Sequence, residues 1–164
     1  PGPRSRRVQD LEGGTYPNVF AYQVNMSCNL CEEPACLPTC PTGAIFKRKK
    51  DGIVDIDSTL CIGCRRCEAA CPFGAPQFDP SDNLVKKCNM CVDEIVAGRK
   101  PYCVMACMMR VLDIGPIEKI CDGSLQTVAK GANDSVSRQV KNMANIELTK
   151  PSIGFIAHSK GKVK

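Results

Sequence analysis

The chain has 164 residues, 13 of them cysteine, and a formal charge of +5. Aromatic residues are scarce, with five Phe, three Tyr and no Trp, so a purely apolar core would be thin and would need covalent or metal staples. No stretch approaches the roughly 18 consecutive apolar residues of a membrane helix, so no direct membrane insertion is expected, and the length suits one domain or two very small ones.

The first residues, PGPRSRRVQDLEGG, carry arginines without an apolar run behind them. That is the wrong pattern for a secretory or twin-arginine signal. Residues 1–18 read as a linker, and a start without Met points to a processed or partial chain. The first cysteine group follows: Cys28, Cys31, Cys36 and Cys40, then Pro41. Next come two short apolar runs, Ala44-Ile45-Phe46 and Ile53-Val54 with Ile56, around Asp51-Gly52. Asp-Gly between apolar runs predicts a β-hairpin. The basic run Lys47, Arg48, Lys49, Lys50 falls at its tip, as a solvated face or as a docking site for an acidic partner.

The second group is CIGCRRCEAACP: Cys61, Cys64, Cys67 and Cys71, then Pro72. A short helix over 65–71 would end at Pro72, which restricts the residue before it and cannot continue the ladder. A second, weaker hairpin is predicted across GAPQFDPSDNLVKK, turning at 80–83. The flanks repeat, with CPTGAI at 40–45 echoed by CPFGAP at 71–76, which argues for one structural unit used twice. The third group is Cys88, Cys91, Cys103 and Cys107, with Cys121 apart from it.

Disulfides, zinc and iron–sulfur clusters compete for these thiols. Thirteen is odd, and C-x₂-C-x₂-C does not make a conventional disulfide framework. Zinc favours two C-x₂-C pairs and leaves the third cysteine and the Cys-Pro unexplained. In the run C-x₂-C-x₂-C-x₃-C-P three thiolates wrap one 4Fe–4S cube and the fourth ligates the other cluster. The second group has this run without deviation. The first has x₄ in place of the middle x₂, and the third has an x₁₁ insertion. Cross-ligation then gives cluster 1 the ligands Cys28, Cys31, Cys36 and Cys71, and cluster 2 the ligands Cys61, Cys64, Cys67 and Cys40. Each cluster site is worth roughly −2 in its oxidised state, so two or three would offset the formal charge, and no nucleic-acid partner is expected.

The stretches NVFAYQVNMSCNLCEEPACLPTCPTGAI, CIGCRRCEAACPFGAPQF and KCNMCVDEIVAGRKPYCVMACMMRVLDIGP closely resemble the iron–sulfur electron-transfer subunit of the dimethyl sulfoxide reductase family of complex molybdopterin oxidoreductases. The resemblance runs over 18–115, with weaker likeness in LTKPSI at 148–153. It implies an α+β, ferredoxin-like tandem iron–sulfur domain: short β-hairpins and short helices around 4Fe–4S clusters over 19–115, then an irregular C-terminal extension over 116–164 that lies on partner subunits. The family has four cysteine groups, and this chain matches the last three. Cys88, Cys91 and Cys103 are then three ligands of an incomplete third cluster, 4Fe–4S or 3Fe–4S, and Cys107 is an orphan fourth ligand whose partner group is absent. Family members usually have proline after that cysteine. Here Met108 stands in its place, which leaves a helix free to run past Cys107.

The resemblance also implies partners: a molybdopterin catalytic subunit and an integral membrane anchor subunit linked to quinol, in a membrane-associated prokaryotic complex where this chain is peripheral. An alternative is a free-standing soluble polyferredoxin, for which a docking extension would be unnecessary. The chain shows no Ser/His/Asp set, phosphate loop or dinucleotide fingerprint, so it is not expected to be an enzyme by itself. Cys121 reads better as a small buried apolar residue than as a ligand. His158 stands alone, and a Rieske-type site needs two histidines. Met105, Met108 and Met109 are expected to pack. Arg65 and Arg66 either raise a cluster's potential or serve solubility.

Overall fold

A computed structural model describes residues 2–121, 136–138 and 143–156. The expectations for His158 and for the Cys121 side chain lie outside the described residues. The elements are short and mixed: strands β1 (Arg6–Gly13), β2 (Phe20–Ser27), β3 (Ile45–Lys47) and β4 (Val54–Ile56), helix α1 (Arg66–Ala70), strands β5 (Gln77–Asp79) and β6 (Leu84–Lys86), helices α2 (Val92–Val96), α3 (Tyr102–Met105) and α4 (Ile117–Cys121), and strands β7 (Val136–Ser137) and β8 (Phe155–Ile156). Four antiparallel pairs result, β1 with β2, β3 with β4, β5 with β6 and β7 with β8.

Both expected hairpins form. In the first, Ile45 pairs with Ile56 and Lys47 with Val54, and Gly52 takes the left-handed φ of 70° that the turn demands. In the second, Gln77 pairs with Lys86, and Asn83 supplies the left-handed residue. The short helix of the second group forms as α1, and Cys71 is already extended, as a residue before proline must be.

Three features differ from expectation. The segment read as a linker carries β1, which pairs along its whole length with β2, Arg6 opposite Ser27 and Gly13 opposite Phe20. Its polar, half-exposed residues hide the strand from a periodicity search, because only the partner strand orders it. Helix α3 ends at Met105 and does not run past Cys107, since the chain turns over with Arg110 left-handed at φ 49°. Met105, Met108 and Met109 are exposed instead of packed.

The apolar core is small and lies between cysteine loops. One cluster joins Leu30, Ile45, Ile53, Val54 and Val85 with the thiols Cys36 and Cys67. The other joins Val24, Met26 and Phe73, and Met143, Ala144 and Phe155 from the C-terminal extension pack onto it. Part of the extension therefore folds back on its own chain.

Candidate metal centre

The three cysteine groups share a backbone device. The residue before the second cysteine is left-handed each time: Leu30 at φ 46°, Gly63 at 66° and Met90 at 62°. A left-handed residue within a tight loop turns successive N–H groups toward one point, a concavity suited to anionic sulfur. The fourth positions repeat too. Gly43 N–H donates to the Cys40 carbonyl and Gly74 N–H to the Cys71 carbonyl, with both glycines left-handed. The Ala75 N–H then points at Cys71 Sγ, 3.4 Å away.

Two cavities open beside these loops. Cys28, Cys31, Cys36 and Cys71 line one of about 370 Å³, closed by Pro34, Val54, Phe73 and Pro76. Cys40, Cys61, Cys64 and Cys67 line another of about 310 Å³, closed by Ile45, Ile56 and Val85. In each, three thiols come from one group and the fourth from the other. The hairpins cause the crossing: β3–β4 carries the chain from Cys40 to Cys61, so the end of each group faces the start of the other. A multinuclear cluster with thiolate corners fits this arrangement.

The cavities differ electrostatically. Burial pushes the Cys28 thiol up, although the Lys87 ammonium and the Leu30 N–H pull it back. Burial pushes Cys31 up to about 11 and Cys36 up to about 12. In the second cavity burial also raises Cys67. Burial opposes ionisation of Cys40 as well, but there the Thr42 hydroxyl and the N–H groups of Ile45, Thr42 and Ala44 outweigh it and hold the thiol below its ordinary value. Buried neutral thiols around an open space are costly to ionise unless a cation compensates. Iron is such a cation.

Lys87 and Lys47 were missed by sequence reasoning. Lys87 lines the first cavity, and its ammonium donates to the carbonyls of Val54 and Cys88. Lys47, expected on a solvated tip, donates to the carbonyls of Cys31 at 3.2 Å and Glu32 at 2.8 Å. Only their places beside loops distant in sequence reveal them. Arg65 stacks over Phe78 at 5.2 Å and pairs with Glu68 at 2.7 Å.

No thiol of the third group lines either cavity. Cys88, Cys91, Cys103 and Cys107 are half-buried free thiols. Cys88 is close enough to Cys28 to raise its pKa, and Arg6 donates to Cys103 Sγ at 3.5 Å. The group therefore adjoins the first cavity, with β1 alongside.

Comparison with known proteins agrees with this chemistry. The family model of a 4Fe-4S dicluster domain matches residues 19–117. One of the polypeptides of the anaerobic dimethyl sulfoxide reductase of Escherichia coli (strain K12) is 40% identical over 168 residues, which is 94% of this chain and 82% of the relative. The perchlorate reductase beta subunit of Dechloromonas aromatica is 40% identical over 120 residues, covering 72% of this chain and 36% of the relative. The iron-sulfur subunit of the nitrate-inducible formate dehydrogenase of Escherichia coli (strain K12) is 40% identical over 103 residues, covering 63% and 35%. With matches of this extent, the chain belongs to the iron–sulfur electron-transfer subunits of the dimethyl sulfoxide reductase family of oxidoreductases, and its role is electron transfer within a complex, not catalysis.

Proposed function

We propose that the chain relays single electrons through two complete 4Fe–4S clusters in a tandem ferredoxin-like unit. Cluster 1 takes Cys28, Cys31, Cys36 and Cys71, and cluster 2 takes Cys61, Cys64, Cys67 and Cys40. The observation that carries this reading is the crossed lining of the two cavities, three thiols from one group and one from the other. When bound, the clusters supply one-electron redox chemistry. The chain's own residues fix their spacing, exclude water with Val54, Phe73, Ile45 and Val85, and set the local charge.

Cys88, Cys91 and Cys103 would hold a third cluster, adjoining the first through Lys87 and Cys88, with Cys107 directed to a partner group outside the chain. The order of the relay is then second cluster, first cluster, third site. Cys64 and its neighbour Ile62 are exposed, which makes the second cluster one terminus. Exposed Tyr102, Met105, Met108, Met109 and Val111 run through the third group and suit a covered interface at the other. By family, the partners are a molybdopterin catalytic subunit and a quinol-linked membrane anchor, with this chain peripheral in a membrane-associated prokaryotic complex. No helix among the described residues is long and apolar enough to cross a membrane.

The test is iron and acid-labile sulfide per chain after anaerobic purification. About eight of each corresponds to the two complete clusters, and about eleven or twelve iron to a loaded third site. Zinc without labile sulfide would end the proposal.

A further inference from the structure

Two residues on the wall of the first cavity carry three buried polar atoms without a hydrogen-bond partner among the described residues. The atoms are both ends of the Asn29 amide and the Thr149 hydroxyl. The residues are 2% and 3% exposed, and both line the cavity ringed by Cys28, Cys31, Cys36 and Cys71. A buried donor left unpaired is destabilising, so the Asn29 Nδ2–H and the Thr149 Oγ1–H call for an acceptor inside the cavity, while the Asn29 Oδ1 can only accept.

Thr149 is brought there from a segment far beyond Cys36 by a short strap. Glu33 N–H donates to the Thr149 carbonyl at 3.2 Å, Glu32 N–H to the Lys150 carbonyl at 2.9 Å, and Ser152 N–H to the Asn29 carbonyl at 2.9 Å. Lys150 is left-handed at φ 44°, and the next residue, Pro151, is fully buried. The strap thus clasps the first cysteine loop on both sides and turns the Thr149 hydroxyl inward. That hydroxyl has no hydrogen-bond partner by geometry among the described residues.

We propose that Thr149 Oγ1–H and Asn29 Nδ2–H are hydrogen-bond donors to the sulfurs of the cluster in this cavity, and that the strap over 149–152 positions Thr149 to raise that cluster's reduction potential. The inference rests on the electron-transfer reading above. Reduction adds one electron to the cluster and makes its sulfurs more negative, with no bond formed or broken in the protein. Donors aimed at sulfur stabilise the reduced form more than the oxidised one. The second cavity is lined by no Asn and no residue of the strap; the threonine on its wall is Thr42, whose hydroxyl lies 3.6 Å from Cys40 Sγ, so changes at Thr149 and Asn29 act on the first cavity alone.

The experiment is an EPR-monitored redox titration of the full chain with its clusters, comparing the unmodified protein with Thr149→Val, Thr149→Ser and Asn29→Leu. Valine keeps the volume and removes the donor. One cluster's midpoint should fall in Thr149→Val and Asn29→Leu and return in Thr149→Ser, with iron and sulfide per chain unchanged. All midpoints unmoved in an iron-replete Thr149→Val would overturn the proposal. Should that variant not keep its iron, Asn29→Leu is read alone, and no shift there overturns it equally. Absence of iron and sulfide from the unmodified chain would instead sink the electron-transfer reading itself.

Discussion

A Cβ placed on Gly63 would stand 2.1 Å from the carbonyl oxygen of Asn83. The second cysteine loop and the β5–β6 turn therefore touch backbone to backbone, and Gly63 is also left-handed at φ 66°. Gly63→Ala meets both penalties. The backbone conformation alone costs about 1–2 kcal/mol, and the clash must be relieved by moving the turn. The variant should lose about four irons per chain while the first cluster's EPR signal persists. Retention of full iron content would refute this.

Cys71 lies in the second cysteine group but lines the first cavity. Cys71→Ala should damage the cluster of the first group. After anaerobic alkylation, mass spectrometry should find Cys28, Cys31 and Cys36 newly modified and Cys40, Cys61, Cys64 and Cys67 still protected. Cys40→Ala should give the reverse pattern. Labelling of Cys61, Cys64 and Cys67 in Cys71→Ala would show that the ligands are not crossed.

Lys87 holds a positive charge at the wall of the first cavity, fixed by the carbonyls of Val54 and Cys88. Lys87→Met keeps the aliphatic stem and removes the charge. The first cluster's midpoint should fall by on the order of 60 mV, the value of a tenfold change for a one-electron couple. An unchanged midpoint in the redox titration would mean that solvent screens the ammonium.

Asp79 pins the β5–β6 turn. It accepts from the Ser81 N–H at 3.0 Å, the Ser81 hydroxyl at 2.6 Å and the Lys86 ammonium at 2.7 Å. Lys86 first, then Ser81, hold its carboxyl at about 2 against an ordinary value of 3.8. A folded-state pKa below the unfolded one means that the stabilisation is complete above the unfolded value and is lost as pH falls through the folded one. Asp79→Asn should be less stable than the unmodified protein at neutral pH, and the gap should close between about pH 4 and pH 2. Urea unfolding of both proteins at stepped pH measures it, and acid loss of clusters, common to both, cancels in the difference. A gap constant with pH would remove Asp79's charge from the account.

Local sequence was enough to read the chemistry and its immediate geometry. The spacing of Cys61, Cys64, Cys67 and Cys71 before Pro72 matches the run that ligates 4Fe–4S clusters. Asp51-Gly52 marks a hairpin, because its turn needs a left-handed residue. The repeat points Cys71 toward the first group, and Cys71 lines that group's cavity. Packing between remote segments settled what no local pattern encodes. It gives β1 a partner in β2, places Lys87 and Lys47 beside loops distant in sequence, exposes the methionines near Cys107, and returns Thr149 across the chain to the first cavity. Hydrogen bonds, burial and strand pairing between such segments depend on where the chain comes back to, and that is decided only when the thiol loops pack against one another.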